Sequence, residues 1–228
     1  MNTNQATTPD IASAPESRSG QILLLAAFMF GFIYLLDDFG LSAPYPINVV
    51  IKASGIVLLG LYALHRSYII LAIGLLAGAA GDVFLALEPA RLDLGIAAFG
   101  LGHLIYIVLF GQQLLKQGLR GTTGFAAAGG IALFGTVMLL WLQPYFGDLR
   151  IAASIYNGLI LTMAILAVLG KAPKMAIIGA LLFVVSDSVL ALRLFADMLD
   201  WAGPVVWVTY FLGQAGIAYG LSRTKTNI

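Results

Sequence analysis

Eight separate stretches of this chain, 20–36, 48–64, 68–87, 94–115, 122–142, 151–170, 174–194 and 204–221, are apolar almost throughout. Each is close to the roughly 20 residues that a helix needs to cross about 30 Å of hydrocarbon. Hydrocarbon offers the backbone no hydrogen-bond partner, so a segment of this length and composition satisfies its own N–H and C=O groups by coiling into a helix. The expected fold is therefore all-α: a polytopic membrane protein with an eight-helix transmembrane bundle over residues 20–221. Composition agrees, because a chain that is 60% hydrophobic and 10% charged, with a mean hydropathy of +0.95, cannot solvate the surface of a water-soluble domain. Between the stretches stand the usual helix breakers: Pro44 and Pro46, Pro89, Gly118 and Gly121, Pro144 and Gly147, Pro173, then Gly203 and Pro204.

The charges between the stretches set the orientation. Loops on the side of the N-terminus carry Arg18, Arg66, Lys116, Arg120, Lys171, Lys174, Arg223 and Lys225, while the other side carries Lys52, Arg91, Arg150 and Arg193 among many acids. Positive charge stays inside, which puts both termini in the cytoplasm. Residues 1–19, rich in Thr, Ser, Pro and Asn and lacking a basic signal-peptide start, read as a disordered cytoplasmic tail, and 222–228 as a short cytoplasmic tail. The expected location is a multi-pass place in a bacterial inner membrane.

Much chemistry is excluded by what the chain lacks. It has no cysteine and only two histidines, so thiol nucleophiles, disulfides and three-histidine zinc sites are impossible. No nucleophile elbow, phosphate loop or H-E-x-x-H motif occurs, and a net charge of +1 gives nucleic acid no footprint. Two acids remain deep within the spans, Asp82 in GDVFLAL and Asp187 in SDSVLAL. Both are followed three residues later by LAL, and both helices run outward, a pattern that a parallel duplication of four helices plus four would leave. Counting 1.5 Å per residue from the cytoplasmic edge, both lie about 20 Å deep. Lys52, His103, Tyr156, Asn157, Tyr210 and Gln214 fall in the same outer half of the bilayer, where they can line one cavity. A carboxylate facing lipid is expensive, so these groups point inward. Gly74, Gly78 and Gly81 form a small-residue strip beside Asp82. Asp37, Asp38, Asp197 and Asp200 read as solvated loop charges and Arg193 as an interface contact.

Several functions fit two such acids. They can be structural, they can carry protons in a coupled transporter, they can join His103 in a metal site, or they can act as an acid–base pair without metal. The residues themselves resemble the lysoplasmalogenase family of YhhN-like membrane proteins. The likeness runs from about Lys52 to Gln214 and rests on Lys52, GDVFLAL, FGLGHLIY with His103 and Tyr106, Tyr156-Asn157, SDSVLAL, and YFLGQ with Tyr210 and Gln214. PYPINVVIKASG departs from the lysine-proline start expected at the second helix.

That resemblance implies hydrolysis of the vinyl-ether bond of a lysoplasmalogen, a lysophospholipid taken from the bilayer, to a fatty aldehyde and glycerophosphocholine or glycerophosphoethanolamine. It implies Asp82, Asp187 and His103 as catalytic residues. Lys52, Tyr106, Tyr156, Asn157, Tyr210 and Gln214 would bind substrate, with no metal or cofactor. Vinyl ethers cleave through carbon protonation and an oxocarbenium-like centre, a demand that glycosidases meet with paired carboxyls.

Overall fold

The computed structural model describes residues 16–223. Eight helices account for most of them: α1 (Arg18–Leu35), α2 (Ile47–His65), α3 (Ile69–Ala86), α4 (Leu92–Gln117), α5 (Thr122–Leu142), α6 (Arg150–Leu169), α7 (Lys174–Ala196) and α8 (Gly203–Ser222). Their ends follow local rules. Ser17 caps α1 by accepting from Gly20 N at 3.1 Å. Pro46 and Pro173 stand immediately before α2 and α7, and Pro204 occupies the first turn of α8, where a missing N–H costs nothing. Gly118 and Gly121, at φ +78° and +85°, let the chain reverse between α4 and α5.

Seven of these, α1 to α7, are long and apolar enough to cross a membrane. The eighth has the length but is diluted by Gln214, Thr209 and glycines, and the reason is its position: most of α8 is buried inside the bundle. A helix with little lipid to face needs less apolar surface. The exposed side chains elsewhere, such as Leu25, Leu115, Leu133, Leu140 and Ile151, give the bundle the apolar coat that lipid requires.

Neighbouring helices form a closed ring, α2–α3–α4–α6–α7–α8, sealed by α8 against α2. Outside it, α1 leans on α2 and α5 leans on α6. Each neighbour pair of the first four helices recurs four helices later: α1·α2 with α5·α6, α2·α3 with α6·α7, α3·α4 with α7·α8, and α4·α6 with α8·α2. The closest packing is between α7 and α8. A Cβ on Gly179 would lie 2.6 Å from Gly213 O and 2.8 Å from Ile217 N, so backbone meets backbone there.

At the end that carries the termini, basic residues tie the chain together. Arg66 pairs with Glu16 at 3.7 Å and reaches Ser222 O at 3.5 Å, and Arg120 donates to Gly170 O and Ala172 O at 3.2 and 3.3 Å. Residues 16–19 thus belong to the folded body, since Ser17 caps α1 and Glu16 also accepts from Tyr62 at 3.0 Å. The remainder of the expected tails, 1–15 and 224–228, lies outside the described residues.

Candidate active site

Asp82 comes from α3 and Asp187 from α7, and both line one cavity in the half of the ring away from the termini. Leu85 and Leu190, three residues beyond each aspartate, line it too. The repeated D-x-x-L phrase therefore marks two helix faces turned toward the same space, since positions three apart share a face. The rest of the wall includes Tyr34, Asp38, Lys52, Tyr156, Arg193 and Tyr210. It is a polar chamber.

A second cavity runs between α4, α5, α6 and α7. Its wall is apolar: Ile96, Met138, Leu142, Ile160, Val184 and Phe195 among others. The two cavities share Leu85, Phe99, Tyr156, Asp187 and Leu190. Asp187 and Tyr156 thus stand where a polar compartment meets an apolar one, whereas Asp82 belongs to the polar side alone. Burial differs accordingly: Asp82 is 2% exposed, while Asp187 is only partly buried.

Each carboxylate accepts a tyrosine hydroxyl. Tyr156 Oη donates to Asp187 Oδ2 at 2.5 Å and Tyr210 Oη to Asp82 Oδ2 at 2.6 Å. Behind Tyr210 the donations continue, with Gln214 Nε2 donating to Tyr210 Oη at 3.4 Å and Tyr106 Oη donating to Gln214 Oε1 at 2.6 Å. Every proton in this buried relay points toward Asp82. Because Gln214 already donates to Tyr210, the tyrosine's own hydrogen is committed to the carboxylate. Gly78 on α3 gives the relay its room, as a Cβ there would collide with Gln214 Nε2. The strip of Gly74, Gly78 and Gly81 thus admits the side chains of Tyr106, Gln214 and Phe99, and it also lets the α4 backbone come close, since a Cβ on Gly102 would lie 3.1 Å from Gly74 O.

Several sequence expectations are redistributed. Tyr106 and Gln214, expected against substrate, line neither cavity and support Tyr210 from behind. Asn157, expected at a polar headgroup, lies on the apolar groove and donates to Gly135 O at 3.5 Å. His103, expected among the catalytic groups, also lines neither cavity: it is 1% exposed, and its Nδ1 donates to Phe99 O at 2.8 Å. Its ring meets those of Phe183 and Tyr156 edge-on, at centroid distances of 4.7 and 5.4 Å. That places it behind Tyr156, and among the described residues no three His, Asp or Glu side chains gather to hold a metal ion. Ser186 is spoken for, donating to Val206 O at 3.0 Å.

Lys52, Tyr156 and Tyr210 are where they were expected, on the chamber wall. Lys52 Nζ sits 5.4 Å from the centroid of the Tyr34 ring. Tyr34, Asp38 and Arg193 also stand on this wall, where the sequence did not place them. A signal existed for Arg193, which follows Ser186 and Leu190 at helical spacing on the chamber face of α7. Asp38 gave none, since its place depends on how the end of α1 meets the start of α8.

Comparison with known proteins fits this geometry. The pattern described as the YhhN family matches residues 47–221. Lysoplasmalogenase TMEM86B of Sus scrofa is 36% identical over 150 residues, 66% of this chain and 62% of that protein. Lysoplasmalogenase TMEM86B of Homo sapiens is 35% identical over the same shares. The Rattus norvegicus protein of the same name is 30% identical over 84% of this chain and 78% of its own length. The alignment to the pig and human relatives thus spans less than two thirds of their length. No solved structure matches.

Proposed function

This chain belongs to the YhhN family, and from that premise we propose that it is a membrane hydrolase acting on the vinyl-ether bond of lysoplasmalogens. The observation that carries the reading is the junction at Asp187, where a polar chamber and an apolar groove meet beside a carboxyl group. A single-chain lipid has that form: a polar head, one chain, and the bond to be broken between them. The names of the pig, human and rat relatives support the same substrate class.

In this reading the headgroup and glycerol occupy the polar chamber against Lys52 and Tyr210, and the alkenyl chain lies in the groove. Asp187 gives its proton to the vinyl carbon β to the ether oxygen, leaving an oxocarbenium centre at the α-carbon. Asp82, the acceptor at the end of the buried relay, remains an anion that stabilises this cation and takes a proton from the attacking water. The hemiacetal then collapses. Its carbon–oxygen bond to glycerol breaks as Asp82 passes its proton to the glycerol oxygen and Asp187 takes the proton of the hemiacetal hydroxyl, so the chain leaves as an aldehyde and both carboxyl groups return to their starting state. Substrate plus water balances aldehyde plus glycerophosphocholine or glycerophosphoethanolamine. Continuous helices α3 and α7 through both aspartates support hydrolysis over alternating-access transport, which favours broken helices at its carboxyls.

The test is aldehyde release from lysoplasmalogen by purified, folded Asp82→Asn and Asp187→Asn. Acid–base groups contribute about 100- to 10,000-fold, so both variants should fall well below a tenth of the parent's turnover. If both retain more than about a tenth, the assignment is wrong.

A further inference from the structure

Charge at the mouth of the polar chamber is the feature that bond cleavage leaves unused. Lys52 and Arg193 both line it, and among the described residues neither forms an ion pair. Arg193 Nε is sealed from solvent yet has no hydrogen-bond acceptor. Asp38 lines the same wall. A Cβ on Gly203, the first residue of α8, would collide with Asp38 Oδ1 and stand 3.5 Å from Arg193 Nη1, so the two charges bracket one point at the chamber rim. A guanidinium and an ammonium facing one space suit a phosphodiester, and a carboxylate beside them suits a cation attached to it.

Resting on the hydrolase reading, we propose that this mouth is a subsite for a zwitterionic phosphodiester headgroup: Arg193 and Lys52 take the phosphate and Asp38 the ammonium. Asp38 also sets the discrimination. Its charge repels a headgroup that brings phosphate alone and attracts one that carries a positive end. The Tyr34 ring is already engaged, with Lys52 over it and Trp207 edge-on at 4.4 Å. With that aromatic surface occupied, recognition of the amine falls to the carboxylate, which favours a primary ammonium able to donate hydrogen bonds over a quaternary one.

The experiment compares three alkenyl lipids of one chain length: a glycerophosphoethanolamine, a glycerol 3-phosphate, and a bare glycerol. Loss of a charge-assisted contact costs about 10- to 100-fold in affinity, so Arg193→Ala should raise KM by that factor on both phosphate-bearing lipids. It should leave kcat within about threefold and the bare glycerol lipid unaffected, and Arg193→Lys should recover part of the loss. Asp38→Asn should narrow the preference for phosphoethanolamine over phosphate. An equal KM rise on all three lipids would make Arg193 merely structural and overturn the phosphate subsite. An unchanged preference in Asp38→Asn would overturn the ammonium contact. No aldehyde from any of the three with the parent protein would instead defeat the hydrolase reading. Binding of glycerophosphoethanolamine, and its loss in Arg193→Ala, would still report on the subsite in that case.

Discussion

Asp82 and Asp187 accept nearly identical hydrogen bonds from tyrosines, but what stands behind each tyrosine differs. Tyr210 is held by Gln214 and through it by Tyr106, while Tyr156 is backed by the His103 ring without a hydrogen bond. The two acids are therefore not equivalent, although the phrases around them look alike. Tyr210→Phe removes the donation that ends the relay, and since a hydrogen bond to a charged group is worth about 1.5–3 kcal/mol, kcat should drop roughly 10- to 150-fold. Gln214→Ala leaves the Tyr210 hydroxyl in place and should cost less. Aldehyde release by the two variants side by side checks the order, and a larger loss in Gln214→Ala would contradict the relay. At this scale the sequence showed the types and depths of the polar residues. It did not show which ones touch open space, because a fraction of a turn about the helix axis separates a chamber wall from a second row.

Helices here were readable because the bilayer imposes one length and one backbone solution on each segment. Seven have the composition of a span, and α8 does not because it is walled in by its neighbours. Its contact with α7 depends on glycines that no hydropathy pattern distinguishes from filler. Gly179→Val would force side-chain atoms against Gly213 O and Ile217 N, and overpacking of that kind costs about 1–3 kcal/mol or more. The thermal unfolding midpoint in micelles should fall, whereas Gly129→Val, at a position with nothing within 4 Å, should leave it nearly unchanged. On the apolar groove, Ala191→Phe fills space that the proposed alkenyl chain occupies. Competition between long- and short-chain substrates should then shift toward the shorter chain, and an unshifted ratio would move the chain out of this groove.

For the molecule as a whole, the ring α2–α3–α4–α6–α7–α8 explains how two distant phrases reach one chamber. Orientation in the membrane is a proposal from the loop charges, and the absence of native cysteine makes it easy to test. Single cysteines at Asp197 and at Lys116 should react with an impermeant maleimide from opposite sides of intact cells or spheroplasts, Asp197 from outside. Labelling of Lys116→Cys alone from outside would invert the protein, and the chamber would then open toward the cytoplasm.

Hydropathy and turn chemistry alone determined the number of helices, their bounds to within a few residues, and the two aspartates as the costly groups, because each is a matter of local transfer energy. Only the packed ring decided that Arg193 and Asp38 share a wall with Lys52, that His103, Tyr106 and Gln214 stand behind that wall, and that a polar and an apolar space meet at Asp187. Those facts depend on how each helix is rotated about its axis. Rotation is settled by side chains fitting against partners far away in the chain, such as Gln214 into the gap left by Gly78.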